Sequence, residues 1–162
     1  MYYTRFNTRF CEIILVGDED GLSNLYLNTG EGKRSFKISD RWILKDDFFI
    51  DVIKEIEEFL EGKRKTFDVK LNPKGTDYQK KVWNELSKIP YGEVSTYKQI
   101  AANIGNEKAS RAVGMANSKN PIPLIIPCHR VVGSKGKLTG FAHGLVIKER
   151  LIKLEERNRD LF

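Results

Sequence analysis

The sequence predicts an α+β chain in two parts, a small sheet-plus-helix part over residues 1–71 and a mainly helical part over 72–162 that carries a helix-turn-helix. Three observations predict it. Apolar residues alternate with a period of two before the break Asn72-Pro73-Lys74-Gly75 and recur with a period of 3.6 after it. Two short helical patterns flank the turn Gly105-Asn106-Glu107. Charge divides at the same break: residues 1–71 hold 12 basic and 14 acidic side chains, whereas 72–162 hold 16 and 8.

In the first part, the apolar runs Cys11 to Val16 and Leu22 to Leu27 flank Gly17-Asp18-Glu19-Asp20-Gly21 and read as a β-hairpin. Gly30-Glu31-Gly32 is a turn, and Lys33 to Ile38 is a third strand. Asp51 caps a helix running through Leu60, in which Val52, Ile56, Phe59 and Leu60 form one apolar stripe and Gly62 ends it. Gly62-Lys63-Arg64-Lys65 is a short basic patch that reads as a solvated loop, with contact to phosphate as the alternative. Phe67, Val69 and Leu71 alternate as a strand.

In the second part, Thr76 and Gln79 form a capping box for a helix with Tyr78, Val82 and Leu86 on one face, stopping before Pro90-Tyr91-Gly92. Ser95 or Thr96 caps the next helix, whose apolar residues are Tyr97, Ile100, Ala101 and Ile104, with Gly105 past its end. A further helix runs from Lys108 to about Asn117. Its small residues Ala109, Ala112, Gly114 and Ala116 suit either the minor groove of a duplex or tight packing on a neighbouring helix, and are poor readers of the major groove. Arg111 is its one long cation, free for a polyanion or paired with Glu107. Val131-Val132-Gly133 is a strand running into the basic loop Ser134-Lys135-Gly136-Lys137, and the last helix runs from about Leu145 to Asn158 on a stripe of Ile147, Leu151 and Leu154. Glu155 falls at the edge of that stripe and needs a partner: Arg130 or Lys148, or His129.

The chemistry-bearing stretch is Asn120 to Val132. Pro121, Pro123 and Pro127 push it toward extended backbone and hold Cys128 in one pose. A free thiol has a pKa of about 8.5, so it needs a base to react at neutral pH. His129 follows at once, but neighbours on a strand face opposite sides, so contact with Cys128 requires a turn or a bridging water. Cys11 lies in a strand away from any histidine and reads as packing. Two cysteines and two histidines make neither a disulfide framework nor a metal cluster, so no metal is expected. Met1 to Phe10 is no apolar leader and no run spans a bilayer, so a soluble cytoplasmic protein is expected. The basic second part points to nucleic acid as the partner.

The segment Pro123-Leu124-Ile125-Ile126-Pro127-Cys128-His129-Arg130-Val131-Val132 closely resembles the active-site signature of the O6-alkylguanine-DNA alkyltransferases. Tyr78-Gln79-Lys80-Lys81-Val82-Trp83, Ile89-Pro90-Tyr91-Gly92, Tyr97 with Ala101, Arg111-Ala112-Val113-Gly114, Asn120-Pro121 and the Gly144 to Glu155 helix follow in that family's order and spacing. The resemblance covers most of residues 72–157, while 1–71 match loosely as the family's amino-terminal domain.

The resemblance implies a ribonuclease H-like first part and a winged helix-turn-helix second part. The protein would bind double-stranded DNA from the minor-groove side, flip out O6-alkylguanine, with O4-alkylthymine left open, and move the alkyl group irreversibly to Cys128. Arg111 would fill the gap left by the base and Tyr97 would rotate the nucleotide. His129 would take the thiol proton through a water, Glu155 would orient His129, and Asn120 would support the segment. Ala109, Ser110, Ala112, Gly114, Arg130, Val131, Ser134, Phe141 and Ala142 would complete the DNA and lesion contacts. Phe141 and Ala142 stand where members often carry tyrosine and serine, so only backbone N–H groups serve there. His143 reads as a loop residue near phosphate. No cofactor is implied, and the protein would act as a monomer, with clustering on DNA open. A lesion-binding relative without transfer, a cysteine hydrolase and a transcription regulator are the competing readings.

Overall fold

The computed structural model describes residues 1–31 and 35–161. Four strands, β1 (Tyr2–Asn7), β2 (Glu12–Asp18), β3 (Gly21–Asn28) and β4 (Ile43–Leu44), form a sheet in the order β3-β2-β1-β4, antiparallel except for the parallel pairing of β1 with β4. The β2-β3 hairpin is the one that the sequence predicts. Its central strand is buried at four successive positions, Ile13 to Val16, so side chains on both faces of the pleat are covered.

The first strand is new relative to the sequence, because its inward face is Tyr2, Thr4 and Phe6 rather than aliphatic residues. The expected third strand is not found over 35–38, and Gly32, Lys33 and Arg34 lie outside the described residues. The expected strand over Phe67 to Leu71 reduces to a single bridge between Leu71 and Leu22.

Helix α1 (Ile50–Leu60) buries Ile56, Phe59 and Leu60. Asp51 lies inside its first turn and is not its cap. A 3-10 turn over Asp46–Phe49 feeds straight into the helix and leaves no extended residue ahead of Asp51. Gly62, at φ +76°, takes the chain out of it. Arg64 of the basic loop bonds the Glu58 carboxylate at 3.0 and 3.1 Å, so that loop is largely neutralised.

The second part begins with α2 (Asp77–Leu86). Its capping box is present: Gln79 N donates to Thr76 Oγ1 at 3.1 Å and Thr76 N to Gln79 Oε1 at 2.9 Å. Val82, Trp83 and Leu86 form its buried face, while Tyr78 is exposed. Thr96 caps α3 (Tyr97–Asn103), and α4 (Ser110–Ser118) packs on both α2 and α3. Trp83 Nε1 donates to Ala116 O at 2.9 Å, so the small residues of α4 serve close helix packing on that side. Strands β5 (Ser95–Thr96) and β6 (Val131–Val132) pair in parallel, and α5 (Leu145–Asn158) closes the chain over Ile147, Leu151 and Leu154. One hydrophobic core runs from β2 and β3 through α1 to the helices. Leu25 N of β3 donates to Pro121 O at 2.8 Å, which ties the sheet to the segment ahead of Cys128.

Candidate active site

The three prolines do not give an extended segment. Residues 120–127 fold into a tight turn in which Ile126 N donates to Ile122 O at 2.9 Å, with Leu124 at φ 77°, a costly conformation for a branched residue. Asn120 holds the turn from inside: its Nδ2 donates to Ile126 O at 2.8 Å and its Oδ1 accepts from Ile122 N at 3.0 Å. Prolines fix φ but leave ψ to the hydrogen bonds, and here the Asn120 amide decides it. Cys128 then starts a 3-10 turn over Cys128–Arg130, which supplies the turn that adjacent Cys and His residues require.

Beneath Cys128 lies a buried charge network. His129 Nε2 is 2.6 Å from Glu155 Oε2, and Arg130 donates to the same carboxylate through Nε at 2.7 Å and Nη2 at 3.0 Å. Arg130 Nη1 reaches Ile89 O at 2.7 Å, and Gly92 N donates to Glu155 Oε1 at 3.3 Å. Glu155 therefore takes two of the three partners that the sequence offered, His129 and Arg130 together. Lys148 takes neither role and donates through Nζ to Thr139 O at 2.8 Å.

Burial opposes charge at Glu155 and at His129. It would raise the Glu155 carboxyl, but His129 and Arg130 more than offset it and hold its pKa down to about 2. Burial pushes the His129 imidazole below its ordinary value against the pull of Glu155. The lowered imidazole fits a neutral His129, with Arg130 supplying the permanent charge opposite Glu155. A carboxylate only accepts, so His129 Nε2 carries the hydrogen and Nδ1 keeps a lone pair. That Nδ1 is buried and makes no hydrogen bond among the described residues. That nitrogen keeps the lone pair that a general base needs.

Cys128 is 3% exposed and opens on a narrow cavity walled by Asn117, Asn120, Phe141, Ala142 and His143. Outside it lies an open cleft of about 920 Å³, whose walls include Tyr97, Ser110, Arg111, Gly114, Phe141 and Ala142. Arg111 is exposed and has no ion-pair partner among the described residues, Glu107 included. Tyr97 O–H donates to Thr139 O at 3.4 Å, next to Lys148.

Of the expected contact residues, Tyr97, Ser110, Arg111, Gly114, Phe141 and Ala142 meet in this cleft. Ala112 is exposed and Ala109 half-buried on the same helix, α4. Ser134 stands apart on an exposed turn. Arg130 and Val131 depart from a DNA-facing role: the guanidinium is spent on Glu155, and the Val131 side chain is buried in the core. His143 is not near the surface either, being 3% exposed between Tyr26 and Phe141.

Two residues hold places at the site that sequence reasoning does not give them. Lys148 is fully buried with Nζ 5.9 Å from the Tyr97 ring centroid and 5.7 Å from that of Phe141, and burial pushes its pKa down to about 8 against the pull of Cys128. Its place on the Ile147-Leu151-Leu154 face of α5 is the signal that could have found it. Asn117 Nδ2 approaches Cys128 O at 3.5 Å, and one asparagine in a helix gives no such signal.

The family model described as 6-O-methylguanine DNA methyltransferase, DNA binding domain, matches residues 77–157. The model described as 6-O-methylguanine DNA methyltransferase, ribonuclease-like domain, matches residues 1–73. The chain belongs to the 6-O-methylguanine DNA methyltransferase family. Among its relatives in that family, the methylated-DNA–protein-cysteine methyltransferase of Methanosarcina acetivorans is 54% identical over 155 residues, spanning 96% of this chain and 98% of that protein. The constitutive protein of that name from Bacillus subtilis is 38% identical over 158 residues, spanning 95% and 94%. The crystal structure of Mycobacterium tuberculosis OGT in complex with DNA superposes with a TM-score of 0.90 at 37% identity, covering 98% of this chain and 94% of that one. Among the described residues no helix of this methyltransferase-family chain is long and apolar enough to cross a membrane, and no cluster of three or more potential metal ligands occurs.

Proposed function

We propose that this protein repairs DNA by direct reversal, taking the alkyl group of O6-alkylguanine in duplex DNA onto Cys128 in a single turnover. The observation that carries the reading is a thiol set at the base of a cavity, above a buried His129-Glu155-Arg130 network and below a cleft with an exposed Arg111. A stacked base cannot present its O6 substituent to a buried sulfur, so the nucleotide must leave the helix to reach it. Arg111 fills the vacated position and Tyr97 lines the path. The α4 backbone follows the duplex, while residues 1–71 support the fold and 72–162 bind DNA and react.

In the chemical step His129 takes the thiol proton and the sulfur attacks the alkyl carbon. The S–C bond forms as the C–O6 bond breaks, and the electron pair leaves on O6. Guanine recovers one proton for the one that Cys128 lost, so the exchange needs neither cofactor nor metal. A thioether offers no leaving route, so the protein is consumed. Such a reaction needs a reduced thiol and access to the chromosome, which fits the cytoplasm.

Intact-protein mass after mixing with duplex carrying one O6-methylguanine tests this. One methyl gained with lesion duplex, absent with plain duplex and absent in Cys128→Ser, is the expected result. Binding without a mass change would make the protein a lesion sensor, and no binding at all would revive the cysteine hydrolase.

A further inference from the structure

The loop that walls the Cys128 cavity is held from the amino-terminal sheet. The cavity is too narrow to admit a water molecule, and its walls include Phe141 and His143, ring centroids 5.4 Å apart. Behind His143 stands Tyr26 of β3 at 6.0 Å, edge-on. Tyr26 stacks on Phe36 at 5.4 Å, and Phe36 on Trp42 at 5.9 Å. A row of five rings thus runs from the sheet to the pocket. The backbone is tied as well, since Thr29 Oγ1 donates to His143 O. At Gly144, with φ +103°, a Cβ would come within 3.0 Å of the Glu31 side chain, so the loop is flanked on that side too.

We propose that the amino-terminal sheet sets the size of alkyl group that Cys128 accepts, by backing His143 against Phe141 as the pocket wall. The inference rests on the alkyl-transfer reading of Cys128. A methyl group needs only a small displacement of the cavity walls, whereas an arylmethyl group must displace His143, which cannot retreat while Tyr26 stands behind it. The wall is a specificity device and takes no part in breaking the C–O bond. Close-fitting pockets distinguish substrates differing by one methylene by about 10- to 200-fold, and an aryl ring is far larger.

The test is the ratio of single-turnover transfer rates from duplexes carrying O6-benzylguanine and O6-methylguanine, with melting temperatures measured alongside. His143→Ala is expected to raise the benzyl-to-methyl ratio by about tenfold or more. Tyr26→Leu, which changes nothing lining the cavity, is expected to raise it in the same direction, and Tyr26→Phe to leave it where it was. Loss of stability alone slows both transfers together and leaves the ratio unmoved. A ratio unchanged in both His143→Ala and Tyr26→Leu overturns the proposal. A change in His143→Ala alone overturns the part played by the sheet. Failure of the unaltered chain to transfer methyl overturns the alkyl-transfer reading itself.

Discussion

Glu155 concentrates the electrostatics of the site in one carboxylate. It meets His129, two nitrogens of Arg130 and the Gly92 amide while only 1% exposed. Removing one member of such a buried set leaves the other charge uncompensated and commonly costs about 3–5 kcal/mol. Glu155→Gln should therefore melt lower. It should also transfer methyl about a hundredfold more slowly, the lower end of what a general base contributes, because an amide, which both donates and accepts, no longer fixes the His129 tautomer as an acceptor-only carboxylate does. The pH dependence separates charge from packing. The carboxyl has a pKa of about 2 in the fold against 4.5 ordinarily, so its stabilisation is present above about 4.5 and is lost as the pH falls toward 2. Melting temperature scanned across that window should fall steeply in the parent and less steeply in the Gln variant. His129 adds in the same direction. Its lowered pKa makes protonation unfavourable to the fold, a cost that begins below its ordinary 6.5 and grows as the pH drops.

Elements of this chain are set mainly by their ends. The Thr76-Gln79 box starts α2, and Gly75 ahead of it lies where a Cβ would fall 2.4 Å from the Trp83 ring. Thr76→Ala removes one acceptor and half of the box, which is expected to cost about 1 kcal/mol. In a chain of this length that lowers the melting temperature by about 2–4 °C, measurable by calorimetry, with repair rate unchanged. End signals of this kind are local, which is why α2, α3 and the full span of α5 are legible from residues alone. Elements without them are harder to read. β1 lacks aliphatic alternation, Asp51 loses its capping role to the 3-10 turn in front of it, and Phe67 to Leu71 meets β3 only at Leu71. The turn over 120–127 depends on Asn120 side-chain bonds that proline content cannot disclose.

At the scale of the whole molecule, the sheet and the helices share one core and meet the reactive segment from opposite sides. Leu25 N ties the sheet to Pro121 O, and Thr29 ties it to His143 O. A methyl added at Cys128 enters a cavity with no spare room, and overpacking of that kind costs about 1–3 kcal/mol. The spent protein should melt lower than the unreacted one in side-by-side scanning fluorimetry. An equal or higher value would show that the pocket relaxes freely around the thioether.

By itself the sequence determined the α+β class, the ends of α2, α3 and α5 and the candidate pair Cys128-His129, because periodicity, caps and a short motif are properties of neighbouring residues. The tertiary structure alone decided which partners the buried groups take. Glu155 binds both His129 and Arg130, Lys148 turns to the Thr139 carbonyl, and His143 becomes a wall of the pocket rather than a surface residue. Those choices join residues 9 to 117 positions apart, and a buried polar group settles on whichever partner the packed chain brings within reach.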